Sequence, residues 1–144
     1  MTKAYNYLIR LLSARDYSEY KLREKCRQKE FPPEDIDEAI QRVKDQNYLR
    51  EDQYIEARIK GFMSKNCSPH YIQRKLKEEK LNVDLQHIQA LFEEHQKSPL
   101  DQIRELIEKK SRLQSDPVKL IRFLLSKGHQ YSDIKEALKH EKLK

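Results

Sequence analysis

Glycine and tryptophan are nearly absent from this chain of 144 residues, which has two glycines and no tryptophan. So few glycines leave little of the turn chemistry that β-hairpins require. Gly61 and Gly128 are also too far apart to form a glycine-rich phosphate-binding loop. Most of the abundant residues, Leu, Ile, Lys, Glu, Gln and Arg, favour helices. The composition therefore predicts an all-α fold.

Long apolar runs are absent as well. No segment approaches the ~20 apolar residues that span a bilayer, and the first residues do not form a secretory signal. Cys26 and Cys67 form neither a CxxC motif nor a disulfide framework. We therefore expect a soluble cytoplasmic protein without a membrane contact. Because 37% of the residues are hydrophobic and 38% are charged, a thin core in an elongated body is favoured over a thick globular core.

Helical segments are indicated by N-cap residues and by apolar residues at helical spacing. They are predicted at 2–15, 18–30, 33–46, 51–66, 68–80, 84–96, 100–113, 116–128 and 131–141. The segments group into helical triplets at 1–50, 51–97 and 98–144, which form one continuous repeat domain. We expect three tandem three-helix repeats stacked into an elongated, curved array.

The middle helix of each triplet carries the clearest repeat. Each begins after a suitable N-cap residue: Ser18, Ser68 and Asp116. Small or apolar residues follow four and eight positions after each cap: Leu22 and Cys26, Ile72 and Leu76, and Leu120 and Leu124. Caps and core positions recur together, 50 residues apart between the first and second triplets and 48 residues apart between the second and third. Such a period indicates stacked units that share a core with their neighbours.

No group of residues indicates an active site. His87 and His95 lie about two helical turns apart, but a zinc site needs three or four converging ligands. Cys67 precedes a helix N-terminus and lies near His70 in sequence, yet nothing supplies an oxyanion hole. The acidic residues within 34–38 fall in a first helical turn, where they complement the helix dipole. We predict no catalytic, cofactor-binding or metal-binding residue.

Basic residues recur on the three middle helices. The net charge is +6, from 30 basic and 24 acidic residues. The candidate partner-binding residues are Lys21, Lys25, Arg27, Arg74, Lys75, Lys77, Lys119 and Arg122. A stacked array would align them into a discontinuous basic stripe that suits a nucleoprotein filament. An ordinary solvated helix surface is the alternative.

Four segments resemble the RecX family of bacterial regulatory proteins. They are AYNYLIRLLSARDYSEYKLREKC at 4–26, VKDQNYLREDQYIEARI at 43–59, SPHYIQRKLKEEKL at 68–81 and KLIRFLLSKGHQYSDIKEAL at 119–138. None of them is specific alone, but together they follow the family's order along essentially the whole chain. Two of these segments depart from the family pattern. Ser68 replaces a glycine in one, and in the other His129 replaces a phenylalanine after Gly128, while Ser126 and Lys127 replace a more basic pair.

The resemblance implies a non-enzymatic bacterial protein that binds the RecA recombinase filament. It would restrain recombination, ATP turnover and SOS coprotease activity, and so act in DNA repair. We expect a monomer without cofactors. Binding to bare DNA should be weak and non-specific, because the Lys and Arg residues are scattered and no aromatic platform for unpaired bases is evident. The alternative is a free-standing helical DNA- or RNA-binding protein that uses the same basic helix faces.

Overall fold

A computed structural model describes residues 2–110, 112 and 115–142. Within those residues the chain forms nine α-helices and no β-strand. The helices are α1 (Lys3–Ala14), α2 (Glu19–Gln28), α3 (Pro33–Asp45), α4 (Glu51–Ser64), α5 (Pro69–Glu78), α6 (Leu85–Glu94), α7 (Pro99–Lys109), α8 (Pro117–Ser126) and α9 (Tyr131–Lys142). The all-α prediction is confirmed, and each predicted segment coincides with one helix. Positions 111 and 113 of the predicted segment 100–113 lie outside the described residues.

The chain divides into two compact units. The first unit consists of Met1–Arg58 and Glu79–Leu81, and the second consists of Ile59–Glu78 and Asn82–Lys144. The boundaries of the three predicted triplets stay a prediction. Among the described helices, none has the length and apolar character that crossing a membrane requires.

The core of the first unit is built by α1, α2 and α3. Both α2 and α3 pack against α1 and against each other. The buried side chains are Ala4, Tyr5, Leu8, Tyr17, Leu22, Cys26, Ile36, Ala39, Ile40 and Val43. The helix N-cap at Ser18 is confirmed, because its Oγ accepts a hydrogen bond from the backbone N–H of Lys21 at 3.2 Å. Such a cap contributes about 1 kcal/mol by satisfying a donor that has no partner within the helix.

The second unit contains α5 to α9. One core cluster joins α7, α8 and α9 through Ile103, Leu106, Ile107, Leu120, Leu124, Ile134 and Ala137. In the same unit α5 packs on α6, and both contribute buried residues: Ile72, Leu76, Ile88, Leu91 and Phe92. The predicted caps are again found, with Ser68 Oγ bonded to the N–H of Tyr71 and Asp116 Oδ1 bonded to the N–H of Lys119.

Equivalent positions of the middle helices are buried in all three repeats. Leu22 and Ile72 are 0% exposed and Leu120 is 3% exposed. Four residues further on, Cys26, Leu76 and Leu124 are all 0% exposed. The prediction of tandem three-helix repeats is therefore confirmed at the positions on which it depended.

Among the described residues, five helices are followed by a left-handed residue that is not glycine, and a sixth is followed by Gly128. Positive φ angles follow six helices: Glu30 (61°), Asn47 (60°), Asn66 (63°), Lys80 (60°), Gln96 (54°) and Gly128 (89°). After α2, for example, the N–H of Phe31 bonds to the carbonyl of Cys26 at 3.3 Å, and the N–H of Glu30 bonds to that of Arg27 at 2.9 Å. This hydrogen-bond pair closes the helix. It offsets the ~1–2 kcal/mol that a left-handed conformation costs an ordinary residue.

Candidate interaction surface

The predicted partner-binding residues all reach the surface of their own unit. Three of them are half-buried: Lys21, Lys25 and Lys75. The other five, which we call the exposed cations, are Arg27, Arg74, Lys77, Lys119 and Arg122. Residues on α2 lie in the first unit, and those on α5 and α8 lie in the second. Their alignment into one stripe stays a prediction.

Aromatic rings lie beneath several of these cations. In the second unit, the Arg74 guanidinium and the Lys75 ammonium lie 5.4 Å and 5.5 Å from the ring centroid of Tyr71. That ring packs edge-on against Phe62, with the two centroids 5.8 Å apart. Cation–π attraction of about 0.5–1 kcal/mol at a partly exposed site holds both cations over one place on α5. In the first unit, Lys25 lies 5.8 Å from the Tyr17 ring.

Other basic residues of the first unit are occupied by internal ion pairs. Arg23 bonds to Glu19 at 3.0 Å and to Asp37 at 2.6 Å, and Lys44 lies 2.5 Å from Glu19. Burial alone would raise the pKa of Glu19, but the bonds to Lys44 and Arg23 outweigh burial and lower this pKa. Asp37 was interpreted as a helix-dipole residue, whereas it also joins α3 to α2. These cations therefore stabilise the fold.

The exposed cations differ from that network. Among the described residues, no ion pair engages any of the five. Their charge is therefore not neutralised within the part of the chain that the structure describes. A negatively charged partner can interact with these cations without first breaking an ion pair within the protein.

One face of α8 combines charge with apolar surface. Val118 is 60% exposed and Leu125 is 45% exposed, and Arg122 lies between them in sequence. Spacings of four and three residues place these side chains on one helix face, which we call the α8 face. The apolar part of this face was not predicted from the sequence, although Val118 and Leu125 are seven residues apart, a spacing that places both on one side of a helix. Exposed apolar residues beside a cation are typical of protein contact sites.

The residues that were considered for chemistry do not converge. His87 and His95 are exposed. Within the described part of the chain, no group of three or more His, Cys, Asp or Glu residues is placed to hold a metal ion. Cys26 and Cys67 are buried free thiols, and burial raises the pKa of both. Because the thiolate is the nucleophilic form, both positions are unsuited to nucleophilic chemistry.

A buried carboxylate in the first unit was not anticipated from the sequence. Glu79 is 6% exposed and accepts a hydrogen bond from the Tyr54 hydroxyl at 2.5 Å. The Nε of Arg58 lies 3.3 Å from its other oxygen. Burial and the adjacent Glu79 raise the pKa of Tyr54 to about 12. The hydroxyl therefore remains a donor at physiological pH, and the cluster is a structural connection between distant parts of the chain.

A second buried polar cluster surrounds the turn before α5. The ring Nε2 of His129 lies 2.8 Å from the carbonyl oxygen of Asn66, and the Gln102 amide donates to the carbonyl of Cys67 at 2.9 Å. The N–H of Ser68 bonds to the carbonyl of Lys127 at 2.9 Å. These bonds join the turn to α7 and to the end of α8. Burial lowers the pKa of His129, which favours its neutral form.

Comparisons with known proteins settle the family. The model of the first three-helix domain of RecX matches residues 4–42, which cover α1, α2 and most of α3. A protein named Regulatory protein RecX from Haemophilus ducreyi is 32% identical over 131 residues, 87% of this chain and 83% of that relative. This chain belongs to the RecX family. The RecX relatives are named as regulatory proteins, in agreement with the prediction that the chain is not an enzyme.

Other RecX relatives differ in how much they share. The protein from Caldanaerobacter subterraneus subsp. tengcongensis is 29% identical over 94% of this chain and 69% of its own length. The protein from Actinobacillus pleuropneumoniae serotype 5b is 39% identical over 51% of this chain, and the match spans only 49% of that relative. The crystal structure of RecX from Lactobacillus salivarius has a TM-score of 0.69 at 20% identity, covering 99% of this chain and 96% of that one. This last likeness supports the shared RecX fold.

Proposed function

We propose that this chain binds the RecA recombinase of its host on the DNA-bound filament and restrains recombination, ATP turnover and SOS coprotease activity. The choice of partner rests on membership of the RecX family. The choice of surface rests on the exposed cations of α2, α5 and α8, whose charge is not neutralised within the described residues. We further infer that the chain acts as a monomer in the bacterial cytoplasm.

The exposed cations suit a partner that carries nucleic acid and acidic protein surface together. A cation without an internal ion-pair partner adds to the long-range field that increases the association rate. Because the three middle helices repeat the same type of charge, each repeat can make its own contact. Later contacts are then intramolecular, which raises the overall affinity without stronger individual contacts.

The α8 face adds a protein-specific component. Naked nucleic acid offers few partners for Val118 and Leu125, whereas a protein surface can bury both side chains. Full burial of such a side chain contributes about 1.5–3 kcal/mol. Binding of a partner can add only the share of this free energy that belongs to the surface still exposed in the free protein. The mixture of apolar and basic residues on α8 therefore favours a protein partner over the alternative of free-standing DNA or RNA binding.

A matched pair of triple variants tests the surface. Arg27→Glu, Lys77→Glu and Arg122→Glu together reverse one exposed cation on each middle helix. Lys60→Glu, Lys135→Glu and Lys139→Glu make the same change in net charge at exposed positions of α4 and α9. Inhibition of RecA ATP turnover and co-sedimentation with RecA filaments are measured at several salt concentrations, and circular dichroism checks folding.

We expect the first variant to need at least about tenfold more protein for half-maximal inhibition, which corresponds to about 1.4 kcal/mol. The control variant should stay close to wild type, and inhibition by the wild type should weaken as salt rises. Equal loss in both variants would mean that only net charge matters. A folded wild-type chain that neither binds RecA filaments nor changes their activity would refute the proposed function.

Variants of the α8 face separate protein binding from nucleic-acid binding. Val118→Ser together with Leu125→Ser removes the exposed apolar groups and leaves every charge in place. We expect weaker RecA inhibition with unchanged binding to a bare DNA duplex. If RecA inhibition were unchanged, the assignment of the α8 face to protein contact would be wrong.

A further inference from the structure

A basic pocket with aromatic walls lies in the first unit, apart from the exposed cations. It has a volume of about 380 Å³. Its lining residues are Lys3, Asn6, Tyr7, Arg10, Lys29 and Phe31. Three of these carry positive charge, two are aromatic and none is acidic. The fold therefore brings together two aromatic rings that were not expected from the sequence to form a platform for unpaired bases. The pocket is formed by α1 and by the segment that follows α2.

The α1 side of the pocket is a helix face distinct from the core face. Lys3, Tyr7 and Arg10 are separated by four and three residues, so they share one side of the helix. The core of the first unit takes Ala4, Tyr5 and Leu8 from the same helix. Both cations are exposed, and Tyr7 is half-buried. The aromatic ring is therefore anchored at the core and open at the pocket.

The opposite wall is fixed by the left-handed turn after α2. Glu30 has a φ of 61°, and the N–H of Phe31 bonds to the carbonyl of Cys26 at 3.3 Å. The Phe31 ring then meets the Tyr7 ring edge-on, with centroids 5.9 Å apart and an interplanar angle of 64°. The Lys29 ammonium lies 5.6 Å from the Tyr7 centroid. The pocket is thus built on hydrogen-bonded backbone.

The charges of the pocket are not neutralised by the protein. Within the described residues, no ion pair engages Lys3, Arg10 or Lys29. Two aromatic rings surrounded by three cations match a planar aromatic group that carries anionic groups beside it. An unpaired nucleotide has this chemistry, because its base stacks on aromatic rings and its phosphates pair with cations. The volume lies within the usual 300–1,000 Å³ of small-ligand sites.

We infer that this pocket binds an unpaired base and the adjoining phosphates of single-stranded nucleic acid. An acidic peptide would use the cations alone and would gain nothing from Tyr7 and Phe31. In a duplex the bases stack on each other, so no base is available to stack on Tyr7 or Phe31. The site uses none of the exposed cations, and it does not depend on the proposed contact with RecA.

The test compares two polyanions that differ only in their bases. Fluorescein-labelled thymidine 20-mer and an abasic deoxyribose-phosphate 20-mer are titrated with the full chain, and binding is followed by fluorescence anisotropy at low salt. We expect the thymidine strand to bind roughly five- to a hundredfold more tightly, as one stacked base predicts. Equal affinity for the two strands would overturn the inference.

Three variants locate the effect. Tyr7→Leu keeps apolar volume but removes the ring, so it should abolish the preference for the thymidine strand while binding of the abasic strand is retained. Lys29→Glu should weaken binding of both strands. Tyr48→Leu makes the same chemical change at a tyrosine that is 51% exposed and outside the pocket, and it should have no effect. The same loss in Tyr48→Leu as in Tyr7→Leu would overturn the assignment.

A crosslinking measurement keeps the test independent of protein stability. Irradiation of the wild-type chain with a strand that carries 5-iodouracil joins the base to a neighbouring aromatic side chain, and mass spectrometry identifies the attachment site. Attachment at Tyr7 or Phe31 is expected, and an excess of unlabelled thymidine 20-mer should suppress it. Attachment only elsewhere, or suppression by polyglutamate as strong as by the thymidine strand, would contradict a base-binding site.

Discussion

The buried pair of Tyr54 and Glu79 gives a prediction whose size follows from the structure. Both residues are 6% exposed, and the Tyr54 hydroxyl is 2.5 Å from the Glu79 carboxylate. Tyr54→Phe removes this donor without changing the shape of the ring. The carboxylate then keeps the bond from Arg58 at 3.3 Å but remains buried. Because hydrogen bonds to charged groups contribute ~1.5–3 kcal/mol, we expect the free energy of unfolding to fall by about 2 kcal/mol.

The same substitution should change how stability depends on pH. The pKa of Tyr54 rises from 10 to about 12 on folding, so folding favours its neutral hydroxyl. This contribution is fully present below pH 10, the unfolded value, and is lost as the pH rises through about 12. A pKa difference of that size is equivalent to about 3 kcal/mol. The stability advantage of wild type over Tyr54→Phe should therefore persist to about pH 10 and disappear near pH 12.

Urea unfolding followed by far-ultraviolet circular dichroism measures both effects. Tyr48→Phe is the matched control, because it removes a hydroxyl from a tyrosine that is 51% exposed. Its free energy of unfolding should stay within about 0.5 kcal/mol of wild type. A stabilising bond from Tyr54 to Glu79 would be excluded if Tyr54→Phe lowered the free energy of unfolding no more than this control, or if its deficit were still present at pH 12.

Three further predictions concern a buried cysteine, the two glycines and a buried histidine. Cys26→Ser should lower the free energy of unfolding by about 1–3 kcal/mol, and native Cys26 should resist alkylation, as mass spectrometry with and without denaturant will show. Gly128→Ala should lower the melting temperature, because φ is 89° and the added methyl group would clash with the side chains of Ser68 and Tyr71. Gly61→Ala is the control and should raise the melting temperature, because the methyl group meets no atom within 4 Å and alanine favours the helix more than glycine does. Burial lowers the pKa of His129, so its contribution to stability is present above pH 6.5 and is lost as pH falls through the folded-state pKa. His129→Gln should therefore lose less stability than wild type between pH 7.5 and pH 5 in urea titrations, and an equal loss would exclude this role.

The helices were predictable because their signals are local. Ser18, Ser68 and Asp116 cap the helices that follow them, and each bond joins residues only three positions apart. Burial of the core positions follows from helical spacing, which requires no knowledge of the partner helix. The turns were harder to predict, because left-handed residues such as Glu30 and Lys80 have no glycine to mark them. After α2 the left-handed conformation is held by backbone hydrogen bonds, such as the one from the N–H of Phe31 to the carbonyl of Cys26, which do not depend on the type of side chain.

The buried polar groups were not predictable, because their partners are distant in the chain. Tyr54 and Glu79 are 25 positions apart, and His129 and Asn66 are 63 positions apart. Each residue alone resembles an ordinary surface or core residue. Neither pair shows a spacing that a helix or a turn would impose. Such pairs form only when the folded chain brings residues that are distant in sequence into contact.

The same limit explains why basic residues on one helix can differ in function. Arg23 and Arg27 lie one helical turn apart on α2, and nothing in their immediate sequence separates them. The fold brings Asp37 of α3 to 2.6 Å from Arg23, while Arg27 has no ion pair among the described residues. Arg23→Glu would place a third carboxylate beside those of Glu19 and Asp37, and the repulsion would destabilise the fold. A loss of binding in this variant could therefore not be distinguished from a loss of folding. Arg27 carries the same charge without an ion pair, so any contribution of Arg27 to the proposed binding can be measured separately from its effect on folding.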